Sequence, residues 1–212
     1  MPRHLRLLPL GSLLLATTLG VAAPPSANPV DTELLAELVA RYERDQFIRS
    51  QFSGGVLPIE HHAIAAALTI QLVGTAIDRE NTAWLEGIVA ERGWPSTQLV
   101  GQRGAHCAWL LVQHADLRPD FQERCLELMR AASDESVAPQ ELAYLEDRIA
   151  VGQGKPQRYG TQLHMQEGRL APQPLADPQR VDTLRAEVGL PPLEEYLRMA
   201  NAFFLHEANG QP

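Results

Sequence analysis

The sequence predicts a mainly α-helical fold, a single domain of six or seven helices with a short β-hairpin or extended loop near residues 157–171. Three observations carry this. Apolar residues recur at three- and four-residue steps along most of the 212 residues. Proline and glycine clusters cut those stretches into lengths typical of globular helices. Strand-like segments are confined to one short region. Hydrophobic residues make up 45% of the chain and charged residues 21%, which is ordinary globular usage and excludes fibrous, disulfide-dense and disordered classes.

The first 23 residues read as a Sec signal peptide. Arg3, His4 and Arg6 precede an uncharged run from Leu7 to Val21 that ends in small residues, with cleavage after Ala22 or Ala23. The apolar run is about 15 residues, short of the roughly 20 that span a bilayer, so no stable membrane anchor is expected after cleavage. The protein is expected to be periplasmic or secreted. Removing the signal leaves 16 basic residues against 26 acidic ones, a net charge of −10. That balance argues against a nucleic-acid partner. Residues 24–30 form a proline-rich linker, 31–206 the helical domain and 207–212 a tail.

The first helix starts at Asp31 or Thr32. Leu34, Leu35, Leu38, Val39 and Tyr42 face the core, Arg41, Glu43, Arg44 and Asp45 lie mostly on the other side, and Ser53-Gly54-Gly55 ends it. Ala63 to Ile77 holds no charge and is expected to be a central buried helix. Asp78 or Asn81 then caps a separate amphipathic helix that Gly93-Trp94-Pro95 terminates. Gln102 to Ala115 is apolar nearly all round, Asp116-Leu117-Arg118-Pro119 makes a turn, and a helix carrying Phe121, Cys125 and Leu128 completes an αα-hairpin. Pro139 to Ala150 forms the next helix. Tyr159 to Met165 reads as a strand with a hairpin turn at Gln166-Glu167-Gly168-Arg169. Asp177-Pro178 starts a helix that Gly189 ends, and Leu193 to His206 supplies the last.

No phosphate loop, His-Glu-x-x-His, Gly-x-Ser-x-Gly or Cys-x-x-Cys motif is present, and no cofactor is implied. Glu60-His61-His62 does not make a metal set, because neighbouring helical residues point about 100° apart and further ligands are missing. Cys107 and Cys125 face each other across the hairpin. An exported compartment permits a disulfide between them, whereas helix axes about 8–10 Å apart favour two buried thiols, and both readings stay open.

The polar residues with the best claim to a site fall in three places. His114, in Gln113-His114-Ala115-Asp116, sits where an apolar helix ends, and Asp116 two residues on can orient its ring as a general base requires. Capping the helix end is the competing role. Tyr144, Asp147 and Arg148 share one helix face, as a binding surface or a solvated ion pair. Gln157, Tyr159, Thr161 and Gln162 surround Gly160 in a loop able to bind a polar ligand or to lock the hairpin.

Taken together, Trp94-Pro95, Val100-Gly101, the Trp109 to Asp116 run, Tyr144-Leu145-x-Asp147-Arg148 and Gln157-x-Tyr159-Gly160-Thr161-Gln162 resemble a bacterial family known only as a domain of unknown function. Two later pieces, Asp177-Pro178 and Val188 to Tyr196, resemble its closing helices. The resemblance covers about residues 78–196 and brings no activity, substrate or cofactor. It implies that these polar motifs belong to one recurring arrangement and meet in one site. Two functions follow as expectations. One is a module that binds a small polar ligand or an envelope protein. The other is a hydrolase-like enzyme on an envelope substrate, with His114 as base, Asp116 orienting it and Arg148 stabilising negative charge.

Overall fold

A computed structural model describes residues 29–53, 61–132 and 137–208. The expected signal peptide, most of the linker, Glu60 and the last four residues of the tail lie outside the described residues. Those described form seven helices and a two-stranded antiparallel sheet, a mainly α-helical architecture.

Asp31 caps helix α1 (Thr32–Ser53): one carboxylate oxygen accepts the Leu34 N–H at 2.9 Å, and the other meets Arg92 at 2.6 Å. That ion pair ties the start of α1 to the end of α2, which runs unbroken from His61 to Arg92. The two helices expected over residues 63–92 are therefore one. Asp78 and Asn81 lie mid-helix, where Asp78 pairs with Arg49 and Asn81 accepts from Arg41 and Arg44.

From Leu68 onward, where side chains of this stretch are described, its expected burial is also corrected. Leu68, Leu72 and Val73 are exposed, Leu72 by 72%. Helix length supplies the reason. The Arg92–Asp31 and Arg49–Asp78 pairs set α1 antiparallel to α2, and 22 residues of α1 cannot cover the 32 of α2.

Helix α3 (Thr97–Gln113) kinks at Gly101 and, with α4 (Pro119–Ala131), makes the expected hairpin. Gln122 closes the turn, donating to the Val112 and Gln113 carbonyls at 3.1 and 3.3 Å, two of the last carbonyls of the helix, of which Val112 also accepts the Ala115 N–H at 3.0 Å. Helix α5 (Pro139–Gly152) packs on α3 and α4. The core between these helices holds Leu38, Leu85, Val100, Leu111, Val112, Met129 and Leu145. Cys107 and Cys125 lie in it as buried free thiols, so no disulfide joins the hairpin.

After α5 the chain forms a pinned loop through residue 162, and the strand expected from Tyr159 begins only at Leu163. Strand β1 (Leu163–Gln166) pairs with β2 (Arg169–Pro172), joined by Glu167 and Gly168 at φ 52° and 78°, the two positive angles of a type I′ turn. The Asp177 carboxylate accepts the Gln179 and Arg180 N–H groups at 3.2 Å each, capping a turn, and α6 (Val181–Glu187) starts after it. In α7 (Leu193–Ala208), the Asn201 amide exchanges hydrogen bonds with the Leu170 backbone and fastens the helix to the hairpin.

Candidate functional site

His114 ends α3. Its backbone N–H still bonds the Leu110 carbonyl, at 3.2 Å, while its ring turns towards α1, where Nδ1 lies 2.9 Å from Asp45 Oδ2. The expected partner, Asp116, does not orient the ring. Past the helix end the chain direction changes, and Asp116 is drawn to the Arg148 guanidinium on α5, which donates through Nε at 2.8 Å and Nη2 at 2.5 Å. A two-point charge-assisted contact of this kind outcompetes a single bond to a neighbouring imidazole.

Asp45 is 2% exposed. The expectation that it faces away from the core is wrong, and the periodicity held the correcting signal: Leu34, Leu38 and Asp45 follow the same four- and seven-residue steps. Burial alone would raise its carboxyl pKa, but hydrogen bonds and charge from His114 and Arg49 outweigh burial and hold it at about 2. Arg49, one turn on, spans two carboxylates, with Nη2 at 3.1 Å from Asp45 and 2.5 Å from Asp78. At Asp78 burial is the larger influence and raises the carboxyl despite Arg49 and His114. Ionised Asp45 accepts only, so the imidazole proton sits on Nδ1, and in the neutral ring Nε2 carries the lone pair.

This cluster borders a cavity of about 400 Å³. Helix α2 contributes Thr75, Asp78, Arg79, Thr82, Ala83 and Glu86, and the α3–α4 turn contributes residues 114–118. The hydroxyls of Thr75 and Thr82 donate back to carbonyls of their own helix at 2.9 and 2.7 Å. Arg118 is held by Glu86 at 2.6 Å and Asp120 at 2.8 Å.

Most of the other expected binding residues fasten the fold. Asp147 is fully buried and accepts the N–H groups of Arg158, Tyr159 and Thr161 and the Thr161 hydroxyl, all within 3.1 Å. Gln157 is buried as well; it donates to the Gln162 and Gln173 carbonyls and accepts the Gln162 N–H at 2.8 Å. Tyr159 is buried, with its carbonyl accepting from Arg185 at 2.7 Å. Gly160 sits at φ 70°, where a Cβ would come within 3.0 Å of Leu193. The Gln113 amide, turned so that its oxygen meets the donors around it, accepts the Leu145 N–H at 2.8 Å and the Trp109 indole N–H at 3.2 Å. Tyr144 packs edge-on between Trp109 and Tyr196. Gln162 accepts from Arg148 at 3.3 Å, which links the loop to Asp116.

The motifs are thus connected through Arg148, but they do not line one volume. Of the residues expected to form the site, His114 and Asp116 reach the cavity, whereas Arg148, Tyr159 and Gln162 do not line it. The side chains that the sequence reading missed are Asp45, Arg49 and Asp78.

The model of a family of unknown function, DUF6624, matches residues 32–207. The chain belongs to this family. Neither a curated protein nor a solved structure matches it. The DUF6624 match takes in α1 and the start of α2, so Asp45, Arg49, Asp78 and His114 all lie within the family domain.

Proposed function

We propose that this DUF6624 protein is an exported module that binds a small polar ligand in the cavity between α2 and the α3–α4 turn. The observation that carries the reading is the buried Asp45 carboxylate holding the His114 ring at the cavity wall. Burying a carboxylate costs several kcal/mol unless it is well paired, and here its pairing fixes a largely buried imidazole at the edge of the cavity. Cavities that bind small molecules characteristically combine apolar walls with a few fixed polar groups. The signal-like first 23 residues support a ligand outside the cytoplasm, among envelope components.

The same pair supports a second reading, a hydrolase-like enzyme with His114 as general base. Asp45 takes the orienting role first assigned to Asp116, and Arg148, committed to Asp116, is no part of it.

Ligand-observed NMR with a panel of envelope sugars, amino acids, short peptides and nucleotides tests the binding reading. Hits should vanish in Ala83→Trp, which fills the cavity, and weaken in His114→Ala. Hits that survive Ala83→Trp would move the site elsewhere. Conversion of a bound compound to product, lost in His114→Ala, would establish the enzyme reading. Intact mass of the protein recovered from the periplasm or medium should show loss of 22 or 23 residues.

A further inference from the structure

We propose that Asp45, Asp78 and His114 form a binding site for a divalent transition-metal ion of the zinc or manganese kind, with Arg49 as the resident cation that the metal displaces. Each residue offers one ligand atom, and the three atoms lie within 4.8 Å of one another. The His114 nitrogen that faces Asp45 is Nδ1, so the metal takes the place of its proton, which leaves for Nε2 or for solvent. Metal–ligand bonds of about 2.0–2.2 Å need donors roughly 3–4 Å apart, so closing the set takes about an ångström of side-chain movement. The donors come from three elements, α1, α2 and the end of α3, whose relative positions the helix packing fixes.

The donor types select the ion. One imidazole with two carboxylates suits zinc, manganese or iron. Calcium asks for six to eight oxygens, and magnesium prefers an all-oxygen, largely hydrated shell. Three protein ligands leave at least one coordination position, and Asp78 and His114 both border the cavity, through which an ion and its water can reach the site.

Arg49 shows that this point calls for positive charge. Its guanidinium donates to both carboxylates at once, a single charge between two negative ones. A divalent ion would balance both. The Arg49 side chain is 36% exposed and Asp45 only 1%, so the arginine can turn towards solvent while the ligands stay in place.

The inference rests on the cavity reading only for what a bound metal would do, and binding itself is tested with the ion alone. The full mature chain is titrated calorimetrically with Zn²⁺, Mn²⁺, Mg²⁺ and Ca²⁺. One ion should bind per chain, Zn²⁺ more tightly than Mn²⁺ and both far more tightly than Mg²⁺ or Ca²⁺. Asp78→Asn should weaken Zn²⁺ binding by about tenfold or more, the usual loss for disturbing a metal's ligand set. The double variant His61→Ala/His62→Ala should leave it unchanged. Arg49→Met should tighten Zn²⁺ binding, and Zn²⁺ should raise the Tm of this variant by more than it raises that of wild type.

Absence of a one-to-one event, indifference to Asp78→Asn, or weaker binding in Arg49→Met would each overturn the proposal. Metal binding that fails while the Ala83→Trp-sensitive ligand still binds removes this inference and leaves the cavity reading intact. The reverse result removes the cavity reading alone.

Discussion

Asp147→Asn tests whether the Tyr-Gly-Thr-Gln loop is held as structure or kept as a site. In the wild type, Asp147 Oδ1 accepts Arg158 N–H at 2.7 Å and Tyr159 N–H at 3.0 Å, and Oδ2 accepts Thr161 N–H at 2.9 Å and the Thr161 hydroxyl at 3.0 Å. An asparagine keeps one acceptor and turns an NH2 group onto the donors of the other. The hydroxyl can rotate to accept, but a backbone N–H cannot, so at least one buried N–H is orphaned and the remaining bonds lose their charge assistance. An unsatisfied buried donor costs about 1–3 kcal/mol and a charge-assisted bond is worth about 1.5–3, so Asp147→Asn should cost about 2–4 kcal/mol. Asp147→Ala strips all four donors and should cost about 3–5 kcal/mol, limited by how far the loop can relax into water. Urea denaturation followed by far-UV circular dichroism measures both variants. Hydrogen exchange should show lost protection at the Tyr159 and Thr161 amides before the helices open. A cost below about 1 kcal/mol for the alanine variant, with those amides still protected, would refute the view that this carboxylate fastens the loop.

Three further outcomes are expected. The Asp45 carboxyl is held at about 2 against an ordinary 3.8, so its ionised form adds stability above about pH 4 that is lost as pH falls through 2, roughly 2 kcal/mol in all. The raised Asp78 carboxyl works in the opposite direction, and urea melts at pH 6 and pH 2.5 should therefore show a clearly larger cost for Asp45→Asn at the higher pH, with part of it remaining at pH 2.5. Burial raises both thiols, that of Cys125 to about 12, so iodoacetamide should label neither cysteine in the native protein and both in urea without reductant, as read by mass spectrometry. Gly104→Ala places a Cβ 2.6 Å from Val100 Cβ and 3.1 Å from Leu35 Cδ1, overpacking that should cost about 1–3 kcal/mol and lower the Tm by several degrees.

What the sequence by itself determined is whatever rests on local chemistry. The helical class follows from apolar spacing. Pro119 and Pro139 open α4 and α5, Gly93 follows the end of α2, and Gly168 takes the second positive φ of the hairpin turn, because proline fixes its own φ and glycine alone enters positive φ without strain. His114 was legible as a candidate for the same reason, as a polar residue where an apolar helix stops.

Only the tertiary structure decided what His114 touches. Its partner Asp45 lies 69 positions away, and Arg148 reaches Asp116 across 32. A charge-free stretch likewise does not say whether anything covers it, and α2 outruns α1 and leaves Leu72 in water. Periodicity reports which way a side chain points from its own helix, whereas a site is made where helices meet. At that meeting a nearby guanidinium decides which carboxylate pairs with the imidazole: Arg148 takes Asp116, and His114 is left to Asp45.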